Sequence, residues 1–145
     1  MTNLKIKICS ETAVIPTKAT SGSAGYDLYV DSAEPVDIWP GYTHMFSTGI
    51  AVQIPEGYVG LIFARSGLSS KHGIRPSTCV SVIDSDYRGE IGLSLYNDSR
   101  VPYRVEAHER VAQMLIISAE SPDIEIVDEL DKTDRDQGGF GSTGR

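Results

Sequence analysis

The residues best suited to chemistry lie in VIDSDYRGE (82–90). Asp84 stands where an apolar run, Val80 to Ile83, has just finished. A carboxylate at the end of a buried strand is partly desolvated, and this makes it a useful general base. Strand alternation carried onward puts Asp84, Asp86 and Arg88 on one face. A second stretch, ARSGLSS (64–70), sets an arginine, a hydroxyl and a glycine at an expected strand-to-helix junction. Free backbone N–H groups and a guanidinium together suit phosphate oxygens. GSAGYDL (22–28) places two glycines ahead of Asp27, and ERVAQMLI (109–116) carries Gln113 inside an apolar run, where its amide needs partners. RDQGGFGSTG (135–144) joins Arg135, a run of glycines and Phe140. Glycines let backbone N–H groups approach phosphates, Arg135 adds charge and Phe140 offers a stacking face. The stretch lacks the Gly-Lys-Ser/Thr ending of a Walker loop.

Positioning these stretches falls to strands. LKIKI alternates from Leu4 to Ile8, and strand-like pieces follow at 26–30, 44–54, 58–64, 79–83, 90–97 and 110–117, with IEIV (124–127) as a further candidate. Turn chemistry separates them at WPG (39–41), PEG (55–57), NDS (97–99) and SPD (121–123). Short strands at this spacing argue for an all-β sandwich, jelly roll or barrel. RSGLSSKHG (65–73) breaks the alternation and is expected to be one short helix, with Ser66 near its N-cap and Gly73 as its stop. The expected organisation is a single β domain over 1–132 and a flexible glycine-rich lid over 133–145.

Composition narrows the function classes. The net charge of −7 is uneven: residues 119–136 hold eight acids and two bases, whereas 1–118 hold twelve acids and ten bases. A nearly neutral body with an acidic C-terminal stretch disfavours binding to polymeric nucleic acid. It leaves room for a small anion if arginines and a metal ion focus positive potential locally. The acidic stretch itself reads as a solvated linker that carries the tail to a neighbouring subunit. His44, His72 and His108 are scattered, and no Cys/His spacing fits zinc. A metal, if used, is expected to be Mg²⁺ held mostly by substrate phosphates and waters. Cys9 and Cys79 are expected to be buried and reduced. No apolar run is long enough for a membrane span, and the N-terminus is too short and alternating for a signal peptide, so the expected location is the cytoplasm.

Taken together and in this order, AGYDL (24–28), RSGL (65–68), VIDSDYRGE (82–90), ERVAQ (109–113) and RDQGGFGSTG (135–144) resemble the homotrimeric dUTPase family. The resemblance implies a jelly-roll-like β fold and a homotrimer whose three active sites are each assembled from three subunits. The reaction it implies is hydrolysis of dUTP to dUMP and pyrophosphate with Mg²⁺ on the triphosphate. Asp84 would orient and deprotonate the attacking water and touch the sugar 3′-hydroxyl. Tyr87 would pack under the deoxyribose. A hairpin from about Thr78 to Asp84, containing Val82 and Ile83, would read uracil mainly with backbone groups. Arg65, Ser66 and Gly67 would hold phosphate oxygens with Gln113 nearby, and Asp27 would reach the metal through water. Arg135, Gly141 and Ser142 would grip the γ-phosphate, and Phe140 would stack on uracil. The chain departs from the family pattern at Thr78, Ser81 and Asp136, where asparagine, glycine and glycine are usual. The alternatives are a dCTP deaminase-like enzyme and a non-catalytic β-sandwich that binds protein partners.

Overall fold

The structure is a computed structural model, and it describes residues 3–139. Ten strands and one helix occur among the described residues: β1 (Lys5–Ile8), β2 (Tyr26–Tyr29), β3 (Val36–Ile38), β4 (Thr43–Gln53), β5 (Tyr58–Ala64), α1 (Ser66–His72), β6 (Ile74–Pro76), β7 (Ser81–Ile83), β8 (Glu90–Asn97), β9 (Tyr103–Val105) and β10 (Arg110–Ser118). They form one sheet in the order β1-β4-β8-β6, a second in the order β2-β10-β5-β7, and a two-stranded sheet, β3-β9. All pairings are antiparallel. The all-β, jelly-roll-like expectation holds. No helix of the described residues is long and apolar enough to cross a membrane.

The two larger sheets bury one common core. Along β8, every second residue from Ile91 to Asn97 points inward, so Ile91, Leu93 and Leu95 are removed from water. They meet Leu28 of β2, Ile62 of β5 and Met114 of β10 in a single apolar cluster. Each such side chain contributes roughly 1.5–3 kcal/mol by its burial. Asn97 ends β8 fully buried, and its amide donates to Ile38 O (2.7 Å) and Val101 O (2.8 Å) while accepting from Ser99 N (2.9 Å). The residue expected to start a turn therefore fastens the loop after β8 to β3.

Two expectations are corrected. IEIV (124–127) is not a strand: no element follows Ser118, and Ile124 and Ile126 are almost wholly exposed. Strand backbone amides need a partner edge, and that segment pairs with none among the described residues. Residues 119–136 are exposed throughout, and Ile124, Ile126 and Leu130 leave large apolar surfaces uncovered. Cys9 and Cys79 are exposed rather than buried: Cys9 lies just past β1, and Cys79 lies in a turn with φ 63. The helix follows the expectation: Ser66 is its first residue, next to the N-cap Arg65, which has no side-chain cap, and Gly73 stops it at φ 66. The three-residue strands β3, β6 and β9 are too short for alternation to reveal.

Candidate active site

Asp27 is the one charged residue buried among the described residues. Its strand β2 lies beside β10, with Asp27 opposite Gln113 and Gln113 opposite Phe63 of β5. Gly25 belongs to the same construction, since a Cβ there would stand 2.9 Å from Gln113 Oε1 and 3.1 Å from Leu115 Cδ1. Glycine thus admits the Gln113 amide, whose nitrogen donates to Ala64 O (3.0 Å) and so satisfies the partner requirement. Ala64 ends β5, Arg65 follows, and α1 starts at Ser66. Arg65 turns back to Asp27, its Nε donating to Oδ1 at 3.1 Å, and its Nη1 donates to Arg110 O at 2.9 Å. Asp27, Arg65, Ser66, Gly67 and Gln113 line one cleft of about 410 Å³ together with Lys71, His72 and Tyr103. Gly67 has nothing near the place of its missing Cβ, so no crowding within the chain requires a glycine there.

Asp84 and Tyr87 lie elsewhere. With Val82 and Ile83 they line a shallow depression of about 190 Å³ that shares no residue with the cleft. The expected hairpin is not a paired hairpin: β7 pairs with β5, while β6 pairs with β8 in the other large sheet. The connection turns at Cys79, and the Thr78 and Ser81 hydroxyls sit 2.8 Å apart. The two departures from the family pattern thus bond to each other. β7 stops at Ile83, and the chain turns at once, Tyr87 N donating to Asp84 O (3.2 Å), so alternation does not carry through Asp86 and Arg88. Asp84 is exposed, without a side-chain hydrogen bond among the described residues, and the expected desolvation is absent. The reason is that β7 is a three-residue edge strand with one side open. Tyr87 lies over Gly89, where a Cβ would come within 2.5 Å of its ring, and its hydroxyl donates to Glu90 O (3.0 Å).

Register gives the separation. Ile83 faces Gly60, so Asp84 continues toward the beginning of β5, while Arg65 follows its end at Ala64. Six residue steps of about 3.3 Å place the two ends of β5 that flank these groups roughly 20 Å apart. A third group stands apart from both: Arg135 is exposed, and its Nε donates to Gly138 O (3.0 Å) within a local turn. Asp136 has φ 41, in the left-handed region that favours the glycine usual there. Phe140, Gly141 and Ser142 lie outside the described residues.

No group of three or more His, Cys, Asp or Glu side chains that could hold a metal occurs among the described residues. Both oxygens of Asp27 already accept guanidinium N–H groups, from Arg65 and from Arg110, each at 3.1 Å. Direct coordination is thereby disfavoured, and the remaining lone pairs suit a metal-bound water, which is how Mg²⁺ commonly meets a protein carboxylate. Sequence reasoning did not single out Arg110; its ion pair depends on strand register, which no local pattern discloses.

Comparison with known proteins identifies the family. The dUTPase family model matches residues 11–144. The deoxyuridine 5′-triphosphate nucleotidohydrolase of Chromobacterium violaceum is 45% identical over 132 residues, covering 90% of this chain and 88% of the relative. That of Idiomarina loihiensis is 41% identical, covering 100% and 99%. Among solved structures, the Staphylococcus bacteriophage 80alpha dUTPase with dUPNHPP superposes with a TM-score of 0.90 at 31% identity over the whole of both chains. A variant dUTPase from phage phi11 of S. aureus, described with a structural Mg(II) ion, gives a TM-score of 0.79 at 28% identity, covering 88% of this chain and 98% of that one. The chain belongs to the dUTPase family.

Proposed function

We propose that the protein hydrolyses dUTP to dUMP and pyrophosphate at sites assembled from three copies of the chain. Family membership and the names of the relatives support the reaction. The observation that carries the assembly is the separation of the Arg65 cleft from the Asp84 depression by roughly 20 Å along β5. A triphosphate is far shorter, which supports a site that takes Arg65 and Asp84 from different copies. The uncovered Ile124, Ile126 and Leu130 point the same way, because they suit docking on a neighbouring copy.

In this reading Arg65, Ser66 and Gly67 of one copy hold the phosphate oxygens, with Gln113 beside them. Asp84 of a second copy takes a proton from the water that attacks the α-phosphorus. The bond from that phosphorus to the α–β bridging oxygen breaks, and pyrophosphate leaves. Tyr87 of the second copy packs under the deoxyribose and leaves no room for a 2′-hydroxyl. The segment from Thr78 to Asp84, with Val82 and Ile83, reads uracil, whose O4 accepts where cytosine N4 donates. The wrong base leaves an unpaired group at a cost of roughly 1–3 kcal/mol. Arg135, Gly141 and Ser142 of a third copy close on the γ-phosphate, and Phe140 stacks on the base. Asp27 would hold a triphosphate-bound Mg²⁺ through water, and the ion would supply neutralisation of phosphate charge. Protein groups otherwise supply positioning and charge, which phosphoryl transfer chiefly needs. The substrate is a free nucleotide of the cytoplasm, in keeping with the acidic charge balance.

The test is pyrophosphate release from dUTP, with UTP, dTTP and dCTP as controls. Release from dUTP alone is expected. Ammonia release from dCTP would instead select the deaminase alternative, and no turnover of either would select the non-catalytic one.

A further inference from the structure

A buried carboxylate is tolerated only when it is paired, and Asp27 is paired twice. Oδ1 accepts from Arg65 Nε and Oδ2 from Arg110 Nη1. Arg65 Nη1 then donates to the backbone carbonyl of Arg110, which closes the three residues into a ring. The backbone is shaped to permit this. Gln113 faces Asp27 and Ala112 faces Leu28, so unbroken alternation would bring Val111 opposite Tyr29, onto the face that Gln113 and Asp27 share. Instead the register shifts between Arg110 and Ala112, and Arg110 faces Tyr29. Val111 is fully buried in the core, and Arg110 reaches Asp27. A bulge of this kind re-aims one side chain without moving the rest of the strand.

We infer that Arg110 is a positioning residue of the cleft: through Asp27 it fixes the Arg65 guanidinium and leaves the triad with one net positive charge for phosphate. The inference rests on reading the cleft as the phosphate site. Arg110 does not line that cleft, so its influence passes through Asp27. Without Arg110, Asp27 has Arg65 as its only cation. The carboxylate can then turn both oxygens to Arg65 and draw it from the cleft, and the triad becomes neutral. Binding of a triphosphate should suffer, whereas a nucleoside monophosphate, which offers little to this cleft, should be nearly unaffected.

The test compares wild type with Arg110→Met and Arg110→Lys in the full chain. Calorimetry without divalent cations measures binding of dUPNHPP and of dUMP, and steady-state assays with Mg²⁺ give kcat and KM. For Arg110→Met the triphosphate analogue should bind about tenfold more weakly or worse, as for loss of a charge-assisted contact. Affinity for dUMP should change less than about twofold, and KM should rise more than kcat falls. Lysine, which can still pair with Oδ2, should recover most of the loss. Equal weakening of both ligands, or unchanged triphosphate binding by Arg110→Met, would overturn the inference while leaving the proposed function intact. Wild-type protein that bound dUMP but gained nothing from the added phosphates would overturn the phosphate reading of the cleft, and the inference with it.

Discussion

The Arg65 cleft and the Asp84 depression belong to the same sheet yet are built in opposite ways. At the centre of the cleft the polar groups are paired: Asp27 holds Arg65 and Arg110, Gln113 is tied to Ala64, and Gly25 makes space for the amide. Around the depression, Asp84 has no side-chain partner, Val82 is 59% exposed and Tyr87 is 44% exposed. The cleft is finished by its own chain; the depression is an edge that awaits one. The half that binds charge must be preorganised, because misplaced arginines forfeit electrostatic stabilisation. In the proposed assembly, the half assigned to water activation would acquire its surroundings from a neighbouring copy, and only there would Asp84 gain the desolvation expected of a general base.

The largest break in this comparison is Asp84→Asn. It should leave folding and assembly unchanged and lower kcat by about 10³-fold or more, read from pyrophosphate release. Because Asp84 makes no side-chain hydrogen bond or ion pair among the described residues, a loss of thermal stability would show that the depression is more finished than described. Deleting residues 135–145 should come next, reducing kcat/KM for dUTP by roughly a hundredfold while the β-rich circular dichroism spectrum stays the same. A deletion variant with near-normal activity would remove the third contributor from the proposed site.

Gly89→Ala sharpens the comparison on the depression side. A Cβ there would meet the Tyr87 hydroxyl at 2.3 Å, and the half-exposed ring can yield. Stability should fall by less than about 1 kcal/mol, while discrimination between dUTP and UTP should drop roughly tenfold. Selectivity left at the wild-type level would mean that Tyr87 does not govern the sugar. The smallest effect belongs to the cleft side. Tyr103 donates to Glu109 Oε1 at 2.6 Å, and burial, reinforced by that carboxylate, holds its phenol well above the ordinary value of 10.0. Tyr103→Phe should cost about 1 kcal/mol, since the pair is partly in water. The folded state keeps the proton that the unfolded state releases, so this contribution is present below pH 10 and lost as pH rises beyond it. Urea titrations at neutral and alkaline pH should show wild type losing its advantage over Tyr103→Phe above that value.

Much of this was legible in the sequence where local rules govern. β4, β5, β8 and β10 follow apolar alternation to within a residue or two, and Gly73 ends α1 because it can adopt φ 66 without a Cβ penalty. Asp27, Arg65, Ser66, Gly67 and Gln113 were each conspicuous in the chain, and register brings them to one cleft. What local patterns hid was pairing. The alternation of IEIV promised a strand but could not reveal that the segment pairs with no strand among the described residues. The continuity from Val80 to Arg88 concealed that β7 ends after three residues and leaves Asp84 in water. No local pattern marked Arg110, and only the shifted register of β10 against β2 turns it toward Asp27.

The central claim is that Asp84 and Arg65 serve the same nucleotide from different chains. Two variants, Asp84→Asn and Arg65→Ala, should each be inactive alone. If they are unfolded together in equal amounts and refolded, random assembly pairs an intact Asp84 with an intact Arg65 from its neighbour in about a quarter of the sites. The account predicts recovery of about that fraction of wild-type turnover. A mixture that formed mixed oligomers yet stayed as inactive as its parents would contradict it, because both groups would then have to come from one chain.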